Sequence, residues 1–200
     1  MKRFLLFGWL ALGRALGGDT QWVSLASLPI PPVIEIRYAT PYNFTGKSLY
    51  PFPRPVLNKD AAEALARVQA DLATQGFGLK VWDAYRPISI QQKMWDLIRD
   101  DHYVSDPAKN AGRHTRGTTV DVTLVDKSGR ELVMPTDFDD FSEAAHADAK
   151  TSESAAKHRA ILQAAMTKAG FEIYPYEWWH FDLKDWKNYP PMDIGLDQIK

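Results

Sequence analysis

Glu177 and His180 stand two tryptophans apart in Tyr174-Pro-Tyr-Glu-Trp-Trp-His-Phe-Asp182, an aromatic stretch with two ionisable groups at its centre. A carboxylate or an imidazole among rings is costly unless it is paired, hydrogen-bonded or bound to a metal. Taken alone, a Glu-x-x-His pair is satisfied by its own members or by nearby backbone, so other segments must decide its meaning. Two further polar islands are candidates: Gly112-Arg-His-Thr-Arg-Gly-Thr-Thr-Val-Asp-Val-Thr-Leu124, and Trp82-Asp-Ala-Tyr-Arg-Pro87.

The chain has no cysteine, which excludes disulfides, zinc-thiolate sites and thiol nucleophiles together. Any metal must therefore be held by His, Asp or Glu. His114 and Asp121, joined by His180, supply two imidazoles and a carboxylate, the composition of a hydrolytic zinc site that keeps one coordination position open for water. Glu177 would point away from His180 in a regular strand, but Pro175 between two tyrosines makes a bend plausible, and a bend would bring the carboxylate back as a general base. Arg86, its backbone restricted by Pro87, is suited to an oxyanion or a bound carboxylate, although a lone arginine is ordinarily a surface ion pair.

Period-two alternation predicts strands over Val33 to Tyr38, Gly78 to Tyr85, Thr118 to Val125 and Phe171 to Leu183. In the third, Val120, Val122 and Leu124 share one face and Thr119, Asp121 and Thr123 the other. In the second, Leu79, Val81, Asp83 and Tyr85 fall on one side, where Asp83 or Tyr85 could orient a ligand or the substrate amine, or serve the core. A strand from Glu177 onward would align Trp178, His180 and Asp182 on one face. Helical periodicity covers Asn58 to Gln75, with Leu65, Val68 and Leu72 on one face, then Ser89 to Asp100, then Ser154 to Ala169. Gly76 and Gly170 stop the first and last. The irregular interleaving lacks an even β-α-β rhythm and predicts a single α+β domain whose small, mostly antiparallel sheet carries the site, packed with helices.

The three islands, with Tyr38-Ala-Thr and Asn43-Phe-Thr-Gly-Lys47 ahead of them, occur in one order: Trp82-Asp-Ala-Tyr-Arg-Pro87, His114-Thr-Arg-Gly-Thr-Thr-Val-Asp121, Glu177-Trp-Trp-His180. In this the chain resembles the zinc D-alanyl-D-alanine dipeptidases, the VanX-type branch of peptidase family M15, from about Ile34 to Leu183. The resemblance implies that His114, Asp121 and His180 bind one Zn2+, that Glu177 is the catalytic base and that Arg86 stabilises the transition state. It implies an α+β fold and hydrolysis of the free dipeptide D-Ala-D-Ala to two D-alanines, in peptidoglycan precursor or wall-turnover metabolism. A D,D-carboxypeptidase acting on longer stem peptides is the alternative, since it shares the metal set. Two positions bear on substrate preference more than on catalysis: Arg113 adds a cation beside a candidate ligand, and Thr119 adds bulk where the family usually has Ala.

A formal charge of -1 removes the basic footprint of a nucleic-acid binder, so a small substrate fits better. Residues 1–18 read as a secretory signal peptide, with a basic start, a short apolar run and a small-residue exit near Gly17 or Gly18. This implies a periplasmic or secreted protein, with a cytoplasmic one as the alternative, and assigns 19–200 to the catalytic domain. The apolar run is too short to span a bilayer, and no stable membrane anchor is expected. His102, His146 and His158 have no motif neighbours and read as structural: a helix C-terminal charge, a solvated loop and a helix position. Oligomeric state leaves no mark on the sequence.

Overall fold

Asn58 accepts a hydrogen bond from Asp60 N through its side chain and so caps the first long helix of the computed structural model, which describes residues 21–199. The proposed signal segment lies outside the described residues. Helix α1, Lys59–Thr74, buries Leu65, Val68 and Leu72 completely, as their spacing predicts. Each such side chain contributes roughly 1.5–3 kcal/mol by leaving water. Helix α2, Ile88–Leu97, starts after Pro87, and α3, Glu153–Lys168, after Ser152, whose hydroxyl accepts from Ala155 N.

The strands in chain order are β1 (Trp22–Ser24), β2 (Val33–Ile34), β3 (Val56–Asn58), β4 (Phe77–Asp83), β5 (Thr119–Asp126), β6 (Phe171–Ile173) and β7 (His180–Leu183). Strands β1 and β3 form a small antiparallel pair, and the main sheet runs β2-β4-β5-β7-β6. Every pairing in it is antiparallel except the short parallel contact of β2 with β4, so the α+β expectation of a mostly antiparallel sheet holds. Val81, Val120, Val122 and Leu124 are buried on the side covered by α1 and α3. The opposite side carries the polar residues.

Two segments depart from their predicted periodicity. The first predicted strand shortens to β2: Glu35 N still donates to Val81 O, its carboxylate pairs with Arg37 and Lys80 at 2.8 Å each, and Arg37–Ala39 forms a 3-10 turn. The last predicted strand is a hairpin whose arms are β6 and β7, with residues 174–179 as its connection. Pro175, which lacks an N–H for a ladder, sits in that connection.

Candidate active site

The site is assembled on one rung of the sheet. Asp83 on β4 pairs with Asp121 on β5, and Asp121 pairs with His180 on β7. Directly paired residues of antiparallel strands share a face, so the three side chains project together. Asp83 reaches that face only because the β4–β5 register shifts between Val81 and Asp83. Regular alternation would keep it with Leu79 and Val81 on the core side, as the sequence pattern predicts; one extra residue at the bulge reverses it. Tyr85 points elsewhere: its hydroxyl donates towards Met192 O and Ile194 O and accepts from Ile194 N, tying down the C-terminal segment.

His114 comes from a 3-10 turn, His114–Arg116, just before β5. Gly117 closes the turn with φ of +67°, and a Cβ there would lie 2.6 Å from the Trp22 ring, so only glycine fits. Nδ1 of His114 donates to the Ala84 carbonyl at 2.7 Å, since a carbonyl oxygen can only accept. Nε2 therefore faces the other way, buried and without a hydrogen bond of good geometry, 3.3 Å from Asp121 Oδ2. On the other side, Nδ1 of His180 lies 3.1 Å from Asp121 Oδ1, an atom that also lacks a hydrogen bond of good geometry. One candidate ligand atom from each of His114, Asp121 and His180 lies within 4.8 Å of the others.

Bare nitrogen and carboxylate oxygens packed this closely repel unless a cation lies among them. The residues therefore fit a metal: two imidazoles and a carboxylate, all buried, with lone pairs aimed inward. Without a metal, protons answer the same demand. Burial would lower the His180 pKa, but Asp182 and Asp121 outweigh it and push it up to about 10. Burial would raise that of Asp121, yet His114 and His180 hold it well below the usual carboxylate range.

Glu177 lies in the hairpin connection rather than in β7, and the turn brings its Oε2 to 3.4 Å from His180 Nδ1. The bend expected around Pro175 is present. Burial pushes the Glu177 pKa up to about 8, with Asp121 and Asp139 adding to the shift and His180 opposing it. In the metal-free site this keeps a proton on the carboxyl, and a cation held by the three neighbouring ligands would favour its ionised, proton-accepting form.

Arg86 is buried, not a surface ion pair. Asp83 Oδ2 accepts from its Nε at 3.1 Å and its Nη2 at 2.7 Å, Gln91 Oε1 accepts from Nη1 at 2.8 Å, and the Tyr38 ring lies 5.0 Å from its guanidinium carbon. Tyr50 donates to the remaining Asp83 oxygen at 2.8 Å. Burial disfavours the charge on Arg86, but Asp83 more than offsets this and keeps the group cationic.

A narrow cleft joins His114, Asp121, His180, Glu177 and Arg86 to Tyr38 and Asp139. Tyr38 opens the Tyr38-Ala-Thr segment that helps carry the family resemblance, without a role of its own there, whereas Asp139 did not stand out in the sequence. Asp139 has φ of +60°, unusual outside glycine, and accepts from Tyr38 Oη at 2.8 Å and Phe44 N at 3.2 Å. Burial of its carboxyl pushes its pKa up to about 7. Trp179 lines the cleft, Phe138 and Trp178 meet its ring edge-on, and Trp82 packs against both of these in turn, so the wall behind the site is aromatic.

The family model for D-Ala-D-Ala dipeptidase, peptidase M15, matches residues 19–193. The chain belongs to the M15 D-Ala-D-Ala dipeptidase family. It is 38% identical over 176 residues to the D-alanyl-D-alanine dipeptidase of Escherichia coli, which covers 88% of this chain and 91% of that protein. It is 34% identical to the D-alanyl-D-alanine dipeptidase of Enterococcus faecalis, covering 76% of this chain and 85% of that one. A solved LD-carboxypeptidase, LdcB, shares 21% identity over 72% of this chain and 70% of its own at a TM-score of 0.44, too loose a likeness to bear on function.

For an M15 metallopeptidase the remaining histidines are peripheral. His102 follows the end of α2 and pairs with Asp100 at 2.9 Å, His158 on α3 lies 2.9 Å from Val133 O, and His146 packs edge-on against Tyr176. The M15 site also contains an acidic residue whose alignment with His180 was legible but whose use was not. Asp182 is buried, accepts from Thr119 Oγ1 at 2.7 Å and from Arg113, and lies 3.2 Å from His180 Nε2. Burial works against its charge, yet His180 and Arg113 hold its pKa down at about 2. Arg113 and Thr119, read from sequence as modifiers of substrate preference, therefore both meet this carboxylate.

Proposed function

We propose that this enzyme hydrolyses the dipeptide D-alanyl-D-alanine to two D-alanines, with one Zn2+ held by His114 Nε2, Asp121 and His180 Nδ1. The convergence of those three groups beside Glu177 carries the reading. When bound, zinc supplies a Lewis acid that polarises the scissile carbonyl and acidifies water. The M15 family and its curated relatives named as D-alanyl-D-alanine dipeptidases supply the reaction class.

The protein's own groups divide the work. Glu177 accepts the proton of the attacking water on its carboxylate and returns a proton to the leaving amine nitrogen. The Arg86 guanidinium, locked by Asp83 and Gln91, presents fixed positive charge to the oxygen on which negative charge develops. Its rigidity matters, because a donor that need not reorganise stabilises the transition state more than a mobile one. Asp139 and Tyr38, on the cleft wall, are placed to take the substrate ammonium, and a cation there relieves the cost of a buried carboxylate. A wall ending in such a group supports a short substrate with a free amine over a long stem peptide. Export to the periplasm or beyond is part of the same proposal, supported by the basic, apolar, small-residue order of residues 1–18.

The test is hydrolysis of D-Ala-D-Ala, L-Ala-L-Ala and a muramyl pentapeptide by purified protein, with and without a chelator. Chelator-sensitive cleavage of the D,D-dipeptide alone is expected. Faster release of D-alanine from the pentapeptide would replace the dipeptidase reading with that of a D,D-carboxypeptidase, and chelator-insensitive cleavage would remove the metal.

A further inference from the structure

We propose that Asp182, held by Thr119 and Arg113, is a positioning residue that fixes the tautomer and orientation of the His180 imidazole and couples it mechanically to His114. The inference rests on the metal-site reading of His114, Asp121 and His180 and extends it to residues outside that set.

An imidazole binds a metal through one nitrogen only if that nitrogen is unprotonated, and the partner of the other nitrogen decides which tautomer is present. Asp182 Oδ1 lies 3.2 Å from His180 Nε2, so the carboxylate keeps a proton on Nε2, and Nδ1, which faces Asp121 and Glu177, is the nitrogen left to give up its proton to a metal. With Asp182 absent, the proton is free to move to Nδ1, which is the position a metal must occupy.

A carboxylate does this reliably only when it cannot turn, and here it cannot. Thr119 Oγ1 donates to Oδ1 at 2.7 Å, and Arg113 donates through Nη1 to Oδ2. Thr119 is the direct cross-strand neighbour of Asp182, two residues before Asp121, so the ligand strand β5 also carries the brace. The Arg113 guanidinium in turn stacks 4.3 Å over the Tyr174 ring and 5.1 Å from that of Trp186. Arg113 immediately precedes His114 in the chain. One short segment thus presents the first imidazole with its own ring and steadies the second through Asp182. Thr119 adds more than bulk on the polar face: its hydroxyl is the donor a methyl side chain would lack.

The experiment compares wild type with Asp182→Asn, a near-isosteric change that removes the charge, and with Thr119→Val and Arg113→Lys. Zinc affinity is measured by competition with a chromophoric chelator. The ring nitrogens of 15N-histidine-labelled protein, zinc-loaded and zinc-free, report the tautomer. Asp182→Asn is expected to weaken zinc binding 10–100-fold and to shift the His180 nitrogen resonances, with several-fold weakening for Thr119→Val and little for Arg113→Lys, which keeps the charge. Should Asp182→Asn fail to fold, Thr119→Val carries the test. Wild-type affinity and unchanged nitrogen shifts in Asp182→Asn or, in that event, Thr119→Val overturn the inference while leaving the metal reading intact. Failure of the wild type to bind stoichiometric zinc overturns the metal reading itself.

Discussion

Asp121 and His180 are cross-strand partners on β5 and β7, and their side chains meet with Oδ1 3.1 Å from Nδ1. The sheet register, not a flexible loop, sets this distance, so the two groups stay together without a ligand to gather them. Substituting His180 by Ala deletes one of three converging donors. Elemental analysis of the purified variant should find zinc well below one equivalent, and a full equivalent would break the ligand assignment.

Glu177 answers to a different measurement. It stands beside the cluster without belonging to it, so Glu177→Ala should retain zinc while turnover drops by about 100- to 10,000-fold, the range in which general acid-base groups contribute. Near-normal activity with stoichiometric zinc would take the proton-transfer role away from this carboxylate.

The two signals that located the cluster in the sequence were local. His114 and Asp121 lie on one turn-and-strand segment, and period-two alternation puts Asp121 on the polar side of β5. Pro175 announced the bend that returns Glu177 to His180, and the glycine stops of the first and last helices were equally local. What escaped were features set by pairing between strands. No alternation pattern contains the bulge that turns Asp83 towards Arg86, because a register shift is a property of two strands. Asp139 escaped for a related reason: it lies outside any strand or helix, reaches the cleft through an unusual backbone angle, and meets Tyr38, 101 positions away in sequence.

Arg86 tests whether fixed geometry matters beyond charge. Arg86→Lys keeps a cation but cannot reproduce the fork that binds Asp83 and Gln91 together. Its kcat should fall about 100- to 1,000-fold with a smaller change in KM, the pattern of an interaction made mainly in the transition state. A large rise in KM at unchanged kcat would instead assign Arg86 to ground-state binding.

Gly117 tests the scaffold. A methyl group there meets the Trp22 ring at 2.6 Å on a backbone with φ of +67°, and the same residue's carbonyl accepts from Asn58 N at 2.7 Å. Gly117→Ala should destabilise the fold by about 1–3 kcal/mol and disturb His114, so chemical denaturation should show a lower midpoint and metal titration a weaker site. An unchanged midpoint would mean that the turn has more room than its packing implies.

Asp139 links stability to function with a definite sign. Its folded pKa is raised from 3.8 to about 7, chiefly by burial of the carboxyl. Between those values the folded protein keeps a proton that the unfolded chain has released, so stability is present at the acid end and lost as the pH climbs to 7. Asn carries no such charge and tolerates a positive φ better than Asp does. Asp139→Asn should therefore be more stable than wild type at pH 8, by on the order of 1–2 kcal/mol once solvent screening is allowed for, and unfold at a higher temperature, with most of the gain gone near pH 4. The same change should raise KM for the dipeptide, because the ammonium loses its counter-charge. A gain that persists undiminished at pH 4 would trace the effect to the backbone angle alone, and an unchanged KM would place the substrate amine elsewhere in the cleft.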